Sequence, residues 1–480
     1  MMQGVGTVSG RPVDRSSGAF LLVLLVAAIA ALGSVVLGGA TVVLVFGLLL
    51  VAGIVARPHY GIALFLSTFL MTYPKALQGV GFLTPNNVLG LIFLVLLAYR
   101  VYRERDWSFL TSPEVQLLGF VVAMYYLSAR LNGPDPHTLE LLGEQEMSAA
   151  NMRIFVNRVA FTVFFIAFIR TPEHVRMIYL VGLAFMVASA LSGVQGVIQG
   201  GGLYGYRATT EARLVAAAYN PNRLAMLAVF SVAGLWYLRR SLVVPGLRTA
   251  LVPAIAVMGL AVFMTASRSG LLGLGVCLAG ILWDERVSFR ALLNWLLGGL
   301  LAAVLVAQFV PERSLERITN LPGTQQAQLG EGAGSLERRE RAWEIAWELF
   351  RESPFLGVGM GNWEVARFLK DPARSTAAPH SSYLLALVEG GIFCLAGFLA
   401  LLWRSWQNFR FAEQWMMWAP PSAVTDLLWI AKAGKVSLLA LVFFSLFADL
   451  WQFVLLFWLV GLSVVMRRLV EADMQRTAYA

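Results

Sequence analysis

Long apolar runs recur along this chain, and such a chain folds only where most of those runs are kept out of water. They lie at about Ala19–Val36, Leu37–Ala56, His59–Tyr73, Asn86–Tyr99, Val115–Ala129, Ile154–Ile169, Met177–Ile198, Asn222–Leu238, Ala250–Ala266, Gly270–Trp283, Ala291–Val310, Ser381–Trp403, Val436–Leu450 and Trp451–Met466. A helix needs about 20 apolar residues to cross the hydrocarbon core, so about 12–14 crossings would use roughly half of the chain. The hydrophobic fraction of the 480 residues is 58%, and only 14% are charged, which excludes an ordinary soluble enzyme. Lipid offers the backbone no hydrogen bonds, so the expected fold is all-α: a polytopic membrane helical bundle of about 12–14 spans. Gly38 and Gly39 turn the first long run back as a hairpin, which distinguishes it from a cleaved signal peptide. Cys277 and Cys394 both fall inside apolar runs, so neither a disulfide framework nor a cysteine metal site is expected.

The net charge of +9 would suggest nucleic acid in a soluble protein. Here the arginines follow the positive-inside rule instead. With Arg11 and Arg15 in the cytoplasm, the groups at Arg57, Arg100–Arg105, Arg170–Arg176, Arg239–Arg248, Arg286–Arg290, Arg404–Arg410 and Arg467–Arg468 fall on the same side. Most of the excess is therefore topological, and no nucleic-acid partner is expected. The organisation read from this is a cytoplasmic tail 1–18, a membrane domain 19–310, a large external loop 311–380, a second membrane part 381–468 and a cytoplasmic tail 469–480.

Three segments remain outside: Arg130–Arg153, Gln199–Pro221 and Pro311–His380. Long irregular loops are usually functional or disordered. Within the last, Gly323–Gly334 reads as flexible, and 336–352 reads as an amphipathic helix with Trp343, Ala346, Trp347 and Phe350 on one face. Ser335 is its expected cap, and the helix is expected to lie at the bilayer surface with its tryptophans among the headgroups. Ser353-Pro354 ends it, ahead of the glycine-rich Gly357-Val358-Gly359-Met360-Gly361.

A guanidinium at membrane depth offers a rigid fork of donors for phosphate oxygens. Arg268 lies at the external junction of two spans and is costly there unless it is paired or faces a wet cavity; the alternative is an arginine that snorkels. Arg207 and Arg213 precede Asn220-Pro221, which read as the cap and first residue of the next helix; either arginine is a candidate ligand contact, or Arg213 simply answers Glu211. His380 opens His380-Ser381-Ser382-Tyr383-Leu384 at the external mouth of a span, where the positive end of a helix favours the neutral, proton-accepting imidazole. A structural interface histidine is the competing reading. No second histidine or carboxylate stands near it at ligand spacing, so no metal is expected. Glu389 lies nine helical steps from His380 on the opposite face and reads as a buried structural acid. Asp449 falls at an external turn and is not read as a proton-relay acid.

Taken in order, Tyr219-Asn220-Pro221-Asn222-Arg223, Ser267-Arg268-Ser269-Gly270, Arg341-Ala342-Trp343, Pro354-Phe355-Leu356-Gly357-Val358-Gly359, His380-Ser381-Ser382-Tyr383 and Glu389-Gly390-Gly391 resemble the O-antigen ligase and polysaccharide polymerase superfamily over roughly Pro58 to Trp403. Members are integral glycosyltransferases that use undecaprenyl-diphosphate-linked glycans on the outer face of the bacterial inner membrane. The resemblance implies that Arg207, Arg268 and His380 are catalytic and that neither metal nor cofactor is needed. Ser381 stands where the family often has asparagine. Arg341, Arg213, Trp343, Trp347 and Tyr383 are the expected substrate-binding residues. The expected partners are the donor, a lipid-linked or lipid A core acceptor, membrane lipids and a chain-length regulator. Polymerase of a surface or exopolysaccharide is the first reading and ligation to lipid A core the second. A glycan-lipid transporter is the non-enzymatic alternative, which should show inverted repeats and midplane charges.

Overall fold

The computed structural model describes residues 50–70, 84–134, 145–198, 220–286, 290, 333–371 and 379–478. The chain divides into two compact units, Met1–Gly61 and Ile62–Ala480. In the first, residues 50–56 are helical and a further helix opens at Pro58. The predicted hairpin at Gly38-Gly39, the run Ala291–Val310, the stretch Gly323–Gly332, and Arg207 and Arg213 lie outside the described residues.

The described chain is all-helical, as its apolar runs predict. Its long helices are α1 (Pro58–Leu70), α2 (Pro85–Glu104), α3 (Pro113–Leu131), α4 (Gln145–Phe168), α5 (Pro172–Ile198), α6 (Pro221–Ser241), α7 (Pro245–Met264) and α8 (Arg268–Asp284), followed by α9 (Ala333–Glu352), the short α10 (Trp363–Lys370), α11 (Ser382–Trp418), α12 (Leu428–Phe444) and α13 (Val454–Ala478). Many open on proline, whose missing N–H falls where a helix leaves its first donors unused. Among the described residues six helices are long and apolar enough to cross a membrane, which makes this a multi-pass membrane protein. Leu91, Leu94 and Val95 of α2 are exposed, as expected of a surface that meets acyl chains.

Helices α6 and α13 are buried almost all round along Leu224–Leu235 and Val454–Met466 and form the centre of the larger unit. α6 touches α5, α7, α8 and α12; α11 packs on α3, α12 and α13; α4 packs on α2 and α13. The two ends of this bundle differ in chemistry. One gathers Arg404 with Glu114 at 3.3 Å, and Lys435 with Asp284 at 2.6 Å and Glu413 at 2.5 Å. Buried charges of this kind persist only when paired. The other end gathers Asn222, Ser267, His380 and Asp449.

Two sequence expectations change here. α11 does not stop near Trp403 but continues to Trp418, 37 residues in all, because Ser405, Asn408, Phe409 and Ala412 remain buried beyond the apolar run. α9 begins at Ala333, so Ser335 lies within its first turn and does not cap it. Its buried face is Ala342, Ile345, Ala346 and Leu349, packed on Trp363, Ala366 and Val388. Trp343 and Trp347 are 38% and 47% exposed. The small and aliphatic residues turn inward because α9 lies against α10 and α11, and the wide indoles are left at the rim.

Candidate functional site

The site is built on a break in α11. Gly391 has φ 70 and ψ −172, a conformation open essentially to glycine alone, and it interrupts the helix after Gly390. The backbone groups freed there, two carbonyls and one N–H, pair with the glycine loop that follows α9. Val358 N–H donates to Val388 O at 2.9 Å, Gly359 N–H to Glu389 O at 3.0 Å, and Ile392 N–H to Pro354 O at 2.9 Å. Gly357 (φ 71) and Gly391 face each other's backbones so closely that a Cβ would stand 2.3 Å from Val388 O or 2.2 Å from Phe355 O. The Pro354–Gly359 and Glu389–Gly391 motifs are therefore two halves of one lock. Glu389 is buried beneath it, where its carboxylate accepts from Trp363 N–H at 3.4 Å, and its carbonyl also takes Ser128 Oγ at 2.8 Å. The reading of Glu389 as a buried structural acid agrees with this placement.

Above the lock, His380 sits in the left-handed region at φ 47. That costs a non-glycine residue roughly 1 kcal/mol, and histidine is among the side chains found there most often. Both neighbours hold it. Pro379 O accepts from Trp343 Nε1 at 2.8 Å. Ser381 caps α11, its Oγ accepting from Leu384 N–H at 3.4 Å, so serine does the capping expected of that position. Ser382 is fully buried and stitches the start of α11 to the turn after α12. Its N–H donates to Ser445 O, its Oγ donates to Ala448 O, and its Oγ accepts from Leu450 N–H, each at 2.8 Å. Tyr383 adds a fourth tie, Oη to Val442 O at 2.9 Å, so its hydroxyl is used in packing.

That stitching brings Asp449 to His380: Oδ2 stands 3.5 Å from Nδ1. The other carboxylate oxygen, Oδ1, is buried without a hydrogen-bond partner. The Arg223 guanidinium, over the Phe453 ring at 5.8 Å, supplies a favourable charge to the same carboxylate. Set aside in the sequence as a turn residue, Asp449 is thus the nearest acidic partner of His380 among the described residues. A carboxylate at Nδ1 orients an imidazole and leaves Nε2 free to accept a proton. The signal that could have found it was position alone: a carboxylate between two apolar runs, at the same predicted membrane face as His380.

Arg223 leads to the second group. Asn220 caps α6, its side chain accepting from Asn222 N–H at 2.8 Å and Arg223 N–H at 3.4 Å, with Pro221 in the first turn as predicted. Asn222 Oδ1 accepts from Ser267 Oγ at 2.7 Å, and Ser267 Oγ caps α8 by accepting from Gly270 N–H at 3.0 Å. The two helices approach so closely that a Cβ on Gly270 would meet Ala225 Cβ at 2.6 Å. Arg268, the first residue of α8, is exposed at this end. A cation at the positive end of a helix dipole is at its most favourable with an anion beside it.

The structure thus joins the sequence motifs around Asn222, Ser267-Arg268 and His380 through the first turn of α6. Arg341 is not part of this grouping by direct bond: it pairs with Glu344 at 2.8 Å and Asp371 at 3.4 Å, and these carboxylates raise its pKa. Trp343 reaches the residue beside His380, whereas Trp347 packs on Phe350 with Arg351 over its ring. Arg158, which the sequence reading passed over inside an apolar run, belongs to the same end: Nε donates to Gln452 O at 3.3 Å, and the guanidinium lies 3.7 Å from the Phe69 ring centroid.

Fold and site together define a multi-pass helical membrane protein with a histidine, an aspartate and several arginines collected at one end of its spans. Residues 253–399, which run from α7 through Arg268, α9 and the glycine loop to His380 and the α11 break, match the family model described as O-antigen ligase. The match supports membership of the O-antigen ligase and polymerase superfamily and a glycosyltransferase-like function on lipid-linked glycans in polysaccharide biosynthesis. No match was found among curated proteins.

Proposed function

We propose that the protein is a polymerase of a surface or exopolysaccharide, transferring a glycan from undecaprenyl diphosphate to a sugar hydroxyl at the periplasmic face of the bacterial inner membrane. The observation that carries the reading is the His380–Asp449 pair, 3.5 Å apart, at the same end of the bundle as Arg223 and Arg268. The acceptor hydroxyl oxygen attacks the anomeric carbon from the face opposite the diphosphate, and its proton passes to Nε2 of His380. The bond from the anomeric carbon to the diphosphate oxygen breaks, and its electron pair leaves with the prenyl diphosphate. Asp449 holds the imidazole and stabilises the imidazolium that forms, as a positioning residue.

The leaving group gains negative charge in the transition state, so donors already aimed at it lower the barrier. Arg268, with Arg207, fills that role, and Arg341 and Arg213 serve the outer part of the substrate. The step is a metal-independent single displacement with inversion. Trp343 couples α9 to His380 through Pro379, and Trp347 lies on the rim where a lipid-linked donor would pass. Ligation to lipid A core is the second reading, since the site's chemistry is the same and the acceptor differs.

The test is turnover of purified lipid-linked glycan by the full chain and by His380→Ala and Arg268→Ala, each checked for a wild-type folding profile. Loss of at least about 100-fold with each supports the roles given, in the range for a general base or a charge-stabilising donor. Wild-type turnover in either variant overturns that residue's part. A ladder of longer lipid-linked chains identifies polymerisation, and glycan on lipid A core identifies ligation.

A further inference from the structure

At the end of the larger unit away from His380, the ends of α2, α4 and α13 and the turns after α2 and α4 form an open cavity of about 270 Å³, lined by Arg100, Asp106, Ser108, Ala167, Arg170 and Arg468 among others. From Val454 to Arg468 along α13 is about 21 Å at 1.5 Å per residue, so the cavity and His380 lie near opposite ends of the spans. The arginines here were read in the sequence as topological anchors. Their arrangement is more specific than anchoring requires.

Arg100, only 10% exposed, contacts Glu104 at 3.0 Å and Asp106 at 2.9 Å and donates to Ala167 O. Arg170 pairs with the same two carboxylates. Arg468, partly buried, donates one hydrogen bond, to Ser108 O at 2.6 Å, and makes no ion pair among the described residues. The other carboxylates that act on it at longer range are engaged elsewhere, Glu471 by Arg467 at 2.7 Å and Glu114 by Arg404 at 3.3 Å. Asp106 is fixed in place, its Oδ1 accepting from Ser108 N–H at 2.9 Å. Arg100 and Arg170 therefore share the two carboxylates, and among the described residues four of the five N–H groups of Arg468 make no hydrogen bond. A partly buried guanidinium so supplied calls for an anion with several acceptor oxygens.

The cavity's surroundings indicate what carries that anion. Ile166, Ile169, Val465 and Leu469 form an apolar wall, and Trp107, 57% exposed, stacks on Phe109 at its edge with ring centroids 6.4 Å apart. An exposed tryptophan beside a basic recess between span ends is the composition of a headgroup-level site. We propose that this cavity binds a phosphate group, as the headgroup of an anionic membrane lipid or as free phosphate, with Arg468 as its main ligand and Arg100 and Arg170 as support. The site is independent of the chemistry at His380 and would hold the ends of α2, α4 and α13 together.

The test uses the full chain in nanodiscs. Heat stability is followed as phosphatidylglycerol replaces phosphatidylcholine, and separately as inorganic phosphate is added to phosphatidylcholine discs; bound lipid is counted by native mass spectrometry. Wild type should be stabilised in at least one arm, the lipid arm alone identifying a headgroup and the phosphate arm showing that the free anion suffices. Arg468→Gln should weaken binding about tenfold, the loss expected of one charge-assisted contact. Asp106→Asn separates ligand binding from scaffolding: removing a competing negative charge should tighten binding about threefold or more, whereas a purely structural cluster would bind no better. Absence of stabilisation in both arms, or unchanged binding in both variants, overturns the proposal.

Discussion

Replacing Gly391 by alanine tests whether the lock between the glycine loop and the broken helix sets the site. At φ 70 and ψ −172 an alanine carries roughly 1–3 kcal/mol of backbone strain. Its Cβ would lie 2.2 Å from Phe355 O and 2.3 Å from Phe355 C, backbone atoms that can yield only if the loop moves. Moving the loop puts at risk the three hydrogen bonds from Val358, Gly359 and Ile392, each contributing about 1 kcal/mol. The sum is roughly 4–6 kcal/mol, a large fraction of the stability of an ordinary domain. Gly275, in α8, is the matched control: nothing lies within 4 Å of its Cβ position, so alanine there should stabilise by about 0.5–1 kcal/mol. Unfolding of the full chain in one detergent should therefore show Gly391→Ala well below wild type and Gly275→Ala at or above it. Turnover should fall with the first, because the displaced loop carries α9 and with it the Trp343 bond that holds Pro379 beside His380. A Gly391→Ala protein as stable and as active as wild type would refute the lock.

Three further outcomes follow from the same geometry. Ser382→Ala leaves Leu450 N–H and Ala448 O buried without their partner, a loss of roughly 2–4 kcal/mol, and should raise hydrogen exchange at 445–450 and reduce turnover by freeing Asp449 from His380. Trp343→Phe keeps the ring but removes the donor to Pro379 O; turnover should drop several-fold with little change in unfolding temperature, since the indole is partly exposed. The Asp106 carboxyl is held below its ordinary value of 3.8, first by its hydrogen bonds from Ser108 and then by the Arg100 and Arg468 charges. A depressed folded-state pKa gives stability that is present above the unfolded value and is lost as pH falls through the folded one. Acid unfolding below about pH 4 should accordingly be shallower in Asp106→Asn than in wild type, read from melting temperatures between pH 7 and pH 3.

The parts of the site that were legible in the sequence are those fixed by local chemistry. Asn220-Pro221 marks a helix start because a side-chain oxygen satisfies backbone donors a few residues on, and Asn220 caps α6 as read; Ser381 caps α11 in the same way. His380 could be singled out because one histidine alone combined an external face with a helix start. Asp449 could not be, because 69 positions separate it from His380 and it is the hydrogen bonds of Ser382 and Tyr383 that bring the segments together. Which residues of α9 pack inward was not legible for a related reason: Ala342, Ile345, Ala346 and Leu349 meet α10 and α11, while the two tryptophans stay exposed.

What the sequence determined by itself is the medium and the architecture. Its apolar runs cannot be dissolved in water, and helices are the form in which such runs satisfy their own backbone hydrogen bonds. What only the tertiary structure decided is which of the leftover polar residues meet. Hydrophobic burial is non-directional and specifies no partners; pairing His380 with Asp449, Asn222 with Ser267, and the glycine loop with the α11 break depends on hydrogen bonds and close backbone approaches that exist only once the helices are side by side.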